Sequence, residues 1–208
     1  MTASGMGNAG LITIGNLTLE NAGDIYVTDT VNNVDYMRWD QHFNLTLALI
    51  TAATVDPGNA LHGWNVASSL QANNFTDALL ADQIEGSKCK LTGNDDCGTP
   101  TGGKAATTLL LGDNYLHSSS FYTSFFDQTS PTKAGLLFMS DGTLKKYHSP
   151  YTVQYVDEYS TGELGDHLKY TYLLTRASLN NNITVPEPST LAIFALGLIG
   201  LASRRFKK

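Results

Sequence analysis

Five histidines, His42, His62, His117, His148 and His167, are the side chains best suited to general-base or metal chemistry. They are scattered, with no His-x-x-x-His pair, and read singly they are surface or packing residues. A Ser-His-Asp hydrolase of the nucleophile-elbow type would show Gly-x-Ser-x-Gly, which is absent. Ser118-Ser119-Ser120, beside His117, reads more simply as turn-formers at a strand edge. Carboxylates concentrate at Asn94-Asp95-Asp96 and at Asp113-Asn114, which as isolated loops are solvated turns. Tyr147, Tyr151, Tyr155, Tyr159, Tyr170 and Tyr172 cluster late in the chain. A sugar-binding face would use aromatic platforms beside polar groups, but this spacing fits tyrosines half-buried in strands. With no catalytic constellation the chain is read as non-enzymatic. A secreted hydrolase is the alternative, and it requires two carboxylates converging in a cleft.

The elements that must position these residues alternate between strands and helices. Leu11–Leu19 and Asp24–Thr28 are β-branched and bounded by Gly and Asn, which predicts two strands joined by a turn at Asn21-Ala22-Gly23. Helical spacing predicts a helix over roughly 41–53. Asp56-Pro57-Gly58-Asn59 is a turn, and Ser68 or Ser69 caps a second helix running to about Asp82. Gly98–Lys104 reads as a loop. Leu109–Leu111, Ser120–Phe126 and Gly135–Met139 read as strands, and Asp141-Gly142 as the hairpin turn into Thr143–Tyr147. Tyr151–Tyr155 is a half-buried strand.

The last residues have a different grammar. Pro186-Glu187-Pro188 is followed by Leu191, Ala192, Ile193, Phe194, Ala195, Leu196, Leu198, Ile199 and Leu201, and then by Arg204, Arg205, Lys207 and Lys208. As a helix the fifteen uncharged residues Ser189–Ser203 span about 22 Å, short of the ~30 Å hydrocarbon core. The basic residues that follow snorkel across part of that deficit. The positive-inside rule then places the basic end in the cytoplasm and the residues before Pro186 outside. A buried core helix is the bland alternative, but it would show a polar face, and this run has none.

Punctuation, apolar run and basic end, in that order, resemble the PEP-CTERM sorting signal of Gram-negative bacteria that make exopolysaccharide. The resemblance implies recognition of Pro186-Glu187-Pro188 by a membrane protease-transpeptidase, an exosortase, and processing at the cell envelope. It implies residence in the envelope, on the cell surface or in the extracellular (biofilm) matrix. Met1–Gly10 has neither a basic n-region nor an apolar h-region and predicts a disordered stretch. Export therefore implies either a mature chain or a true start upstream.

A second resemblance spans residues 24–176. An Asp29-Thr30-x-Asn32-Asn33 segment, Trp39-Asp40, a short helix and Gly63-Trp64-Asn65-Val66-Ala67-Ser68 before a helix are similar to exported bacterial proteins carrying Gly-Trp-Arg-x-Ala-Thr. Those look like relatives of the Lcl and C-type-lectin-like domains; Asn65 here replaces the Arg, and Ser68 the Thr. The resemblance implies an α+β fold: a small twisted antiparallel sheet flanked by two helices, its first and last strands paired, with Tyr170–Arg176 as the closing strand. The C-terminal apolar helix stands apart from it. Lectins of that fold hold calcium through Asn, Asp and Glu on loops, which makes Asp95, Asp96, Asp113 and Asn114 the calcium candidates. The lectin sugar-binding tripeptides Glu-Pro-Asn and Trp-Asn-Asp are absent, so no metal or cofactor is expected. Formylglycine-generating enzymes share the fold, but their chemistry needs a late reactive cysteine pair, and both cysteines here are early and close together.

Composition bounds the rest. The chain has 208 residues, enough for one packed domain, and a formal charge of −6. Residues 1–203 hold nine of the thirteen basic residues and all nineteen acidic ones, a net of −10. That balance argues against nucleic-acid binding. In an exported chain Cys89 and Cys97 most simply form one disulfide. A metal or redox pair is the alternative, without Cys-x-x-Cys spacing or nearby partner ligands. The expected organisation is a stretch at 1–10, an exported domain at 11–177, a linker at 178–185 and the sorting signal with its membrane helix at 186–208. The expected role is adhesion or association with exopolysaccharide, with a self-assembling surface fibre as the structural alternative.

Overall fold

The computed structural model describes residues 11–41, 45–81, 95–112, 120–127, 130–140, 142–152 and 171–178. It is α+β, with two antiparallel sheets and three helices among these residues. The first sheet opens with a hairpin of β1 (Ile12–Ile14) and β2 (Leu17–Leu19). The stretch expected as one strand is folded in half because Gly15, at φ +57°, turns the chain where a side chain would be strained. Next come β3 (Tyr26–Asp29) and β4 (Val34–Met37). Asp29 builds the turn between them: its carboxylate accepts from the backbone N–H of Val31 and Asn32 at 2.9 and 3.0 Å and from Asn32 Nδ2 at 2.7 Å. Asn33 sits at φ 54°, a conformation Asn tolerates.

Two helices lie where helical spacing places them. α1 (Leu47–Val55) starts at Thr46, whose hydroxyl accepts from the Leu49 N–H at 3.3 Å, and stops before Asp56-Pro57. The two-residue β5 (Asn65–Val66) leads to α2 (Ser69–Leu79). Ser68 and Gln71 form a reciprocal capping box there, with Gln71 N–H donating to Ser68 Oγ and Ser68 N–H to Gln71 Oε1. The third helix, α3 (Gly103–Leu111), corrects the expectation of a loop followed by a strand. Thr107, Leu110 and Leu111 are its buried residues, an i, i+3, i+4 set that only a helix brings to one side.

The second sheet contains β6 (Asp95–Gly98), β7 (Ser120–Asp127), β8 (Ser130–Ser140) and β9 (Thr143–Thr152), in the order β6-β9-β8-β7. Ser140 pairs with Thr143, across the two positions read from the sequence as a turn, of which Asp141 lies outside the described residues. The closing strand β10 (Leu174–Ala177) belongs to the first sheet, in the order β1-β2-β3-β4-β10-β5. The last strand therefore pairs with β4 and β5 rather than with the first strand, and the single small sheet with two helices becomes two sheets with three. The added sheet is built from the long apolar runs after residue 120, which need a second layer to cover them.

Alternation along the strands produces two clusters. Val27, Tyr36 and Leu173 join Trp39, Phe75, Leu79, Leu110 and Leu111 in one. Their sequence neighbours Tyr26, Met37 and Leu174 join Ile50, Leu61, Trp64 and Tyr172 in the other. The first sheet is thus buried on both faces, by α2 and α3 residues on one and by the α1 side on the other. No helix among the described residues is long and apolar enough to cross a membrane. The stretch at 1–10 and the tail from Leu179 lie outside the described residues.

Candidate functional site

The most elaborate polar arrangement among the described residues is a row across three strands: Thr28 on β3, Asp35 on β4 and Arg176 on β10. Thr28 Oγ1 donates to Asp35 Oδ1 at 2.9 Å, and Arg176 Nε donates to Asp35 Oδ2 at 3.1 Å. Asp35 is buried, so its charge is tolerable only because both oxygens are engaged. The Arg176 guanidinium lies 4.3 Å from the Trp64 ring centre and 4.7 Å from that of Tyr26. Trp64 reaches this place because Gly63, at φ +81°, turns the chain after Leu61, and the Gly63 and Trp64 N–H groups are tied to Thr54 O and Leu61 O. The Trp64 indole N–H is buried without a hydrogen-bond partner among the described residues. The arrangement neutralises its own charge. It locks the closing strand to the start of the domain.

Trp39 packs against Phe75 with ring centres 6.0 Å apart, and its backbone N–H donates to Leu111 O. Its neighbour Asp40 accepts from Arg38 at 3.1 Å and from Gln41 at 2.7 Å. Both motif tryptophans are thus interior side chains. Tyr172 is fully buried, and Tyr147 is half-buried against Phe138, ring centres 5.1 Å apart. The described late tyrosine side chains face the protein, while Tyr155, Tyr159 and Tyr170 lie outside the described residues.

The calcium candidates are divided. Asp95 and Asp96 stand in β6 rather than in a loop, and the register sets them opposite Lys146 and Lys145. The Asp96 carboxylate meets Lys145 Nζ at 3.1 Å, an exposed pair of small energetic weight. Asp113 and Asn114 lie outside the described residues, as does Cys89. Cys97 is fully buried in the first cluster, and no cysteine among the described residues is free. His62 is exposed. No group of three or more His, Cys, Asp or Glu side chains able to hold a metal occurs among the described residues.

Sequence reasoning missed the Asp35–Arg176 lock, and nothing local announces it. The residues predicted to direct the protein, Pro186, Glu187 and Pro188 with the apolar run and basic end, lie outside the described residues. Their assignment rests on comparison: the family model of the PEP-CTERM protein-sorting motif matches residues 184–208. The chain accordingly carries the sorting motif of exosortase substrates, which marks it as exported and destined for the cell surface or the extracellular space. No curated protein and no solved structure matches it.

Proposed function

We propose that this protein is a non-catalytic envelope or matrix component that associates with secreted exopolysaccharide after exosortase processing. The observation that carries the reading is the sorting motif at 184–208. On this reading the apolar run crosses the membrane as a helix until the chain is cut near Pro188. The domain before it is lectin-like in role, its Cys89 and Cys97 are joined as a disulfide, and neither cofactor nor calcium is required. The acidic balance of the exported part suits a soluble, cation-tolerant surface and disfavours nucleic acid. Incubation of the protein with the host's purified exopolysaccharide, followed by sedimentation, tests the association. Retention is expected, and complete recovery in the supernatant would sink it.

A second reading, self-assembly at the surface, is favoured by one specific observation. The outward arc of α1 carries Ala48, Leu49, Thr51, Ala52 and Val55, all exposed and none charged. Helix faces directed only at water are ordinarily charged or polar, so an uncharged arc is suited to a second copy. Light scattering across a hundredfold range of concentration, roughly 1 to 100 µM as for ordinary weak association, discriminates the two readings. A size that grows with concentration supports assembly, and a constant monomer opposes it.

A further inference from the structure

Lys146 is a lysine inside the protein. It stands on β9, is 1% exposed, and its Nζ donates to the side-chain carbonyl Oδ1 of Asn73 on α2 at 2.8 Å. One helical turn along the same face of α2, Oδ1 of Asp77 is buried without a hydrogen-bond partner among the described residues. The register of β6 also sets Asp95 opposite Lys146. A buried amine and the half-buried carboxamide it contacts, with a buried carboxyl oxygen one helical turn away, are the reactants of an amide exchange. Contact with Oδ1 leaves the amine about 3–4 Å from the amide carbon, close to the separation from which a bond forms without further approach. Burial of Lys146 disfavours an ammonium relative to the neutral amine.

We propose that Lys146 and Asn73 become joined by an intramolecular isopeptide bond. Lys146 Nζ, as the neutral amine, attacks Cγ of Asn73. The Nζ–Cγ bond forms and the Cγ–Nδ2 bond breaks. One proton of the amine ends on Nδ2, which departs as ammonia, while the other stays on the new amide nitrogen. The exchange is redox-neutral and needs no co-reactant. Asp77 is the relay for that proton, a role its unpartnered oxygen suits. The product ties α2 to β9 across 73 positions of the chain, a covalent staple for a domain that works outside the cell.

The test is a peptide map of the folded full-length chain by tandem mass spectrometry after tryptic and chymotryptic digestion. The expected result is a branched peptide joining the α2 segment to β9 through Lys146, lighter than its two arms together by one ammonia, about 17 Da. No cleavage should occur after Lys146. A linear peptide ending at Lys146 in full yield from folded protein would overturn the proposal. Lys146→Arg and Asn73→Ala should abolish the branch; if either fails to fold, the map of the unaltered protein still decides. Asp77→Asn, with unchanged circular dichroism, should slow formation on the order of a hundredfold. Formation at an unchanged rate would remove Asp77 from the transfer.

Discussion

Arg176 and Asp35, 141 positions apart in the chain, meet at 3.1 Å in the interior of the six-stranded sheet. Their contact joins the last strand of the domain to one of its first. Removing one partner strands the other's charge. Arg176→Met leaves the carboxylate of Asp35, a residue 1% exposed, without its cation. It should cost about 3–5 kcal/mol, read as a lower midpoint in urea. The double change Arg176→Met with Asp35→Asn should recover much of that loss. An unchanged midpoint in the single variant would mean the pair carries no weight.

Gly15 and Gly23 make a matched pair. A Cβ on Gly15 would lie 2.2 Å from Ala78 O, and its φ of +57° strains any L side chain; a Cβ on Gly23 meets nothing within 4 Å. Gly15→Ala should therefore destabilise by well over ~1 kcal/mol and Gly23→Ala by less than about 0.5 kcal/mol. Thermal melts of the two variants check this, and equal melts would contradict the geometry.

Tyr36 controls the alkaline limit. Burial, with a smaller contribution from the charge of Asp29, pushes its phenol well above the ordinary tyrosine range. The unfolded chain ionises first, near pH 10, so it holds fewer protons than the native state above that pH. Stability is complete below pH ~10 and falls as pH rises, by up to about 1.4 kcal/mol per pH unit from this one group. Denaturant titrations from pH 8 to pH ~11 should show a shallower loss in Tyr36→Phe than in the unaltered protein. Parallel curves would exclude Tyr36 as the cause.

The sorting signal has a direct chemical readout. Replacing Pro186, Glu187 and Pro188 together by alanine should leave Lys208 on the protein in every fraction of the native host. The unaltered chain should be recovered with a mass ending near Pro188. Identical masses for the two would separate the motif from processing.

What was legible in the sequence was local. Ser68 with Gln71 three residues on declares the start of α2, and the turn signal between Ser140 and Thr143 agrees with their pairing, because caps and tight turns depend on adjacent residues. α3 was hidden because the short unbroken apolar run Leu109–Leu111 cannot be told from a buried strand by periodicity alone. The 107, 110, 111 spacing was the available signal for a helix. Asp95 and Asp96 read as loop ligands because their partners Lys145 and Lys146 lie some fifty positions away. The Arg176–Asp35 pair and the Lys146–Asn73 contact were not legible at all, since only tertiary folding brings such distant residues together. The sorting motif was legible in full, because its meaning lies in the order of its residues rather than in a packed shape.

Placing β10 in the interior of its sheet has a mechanical consequence. Its neighbours are β4 on one side and β5 on the other, and just past its end the Ser178 N–H is still bonded to Asn33 O. The residues that follow lead straight to the sorting motif. Tension on that tail therefore meets Ala177 and Arg176, which β4 holds and the Arg176 side chain pins, before it reaches Thr175, which β4 and β5 hold from both flanks. Had the tail grown from an edge strand such as β1, the same pull would have faced a ladder on one side only. The point of attachment is seated in the middle of the fabric rather than stitched to its hem.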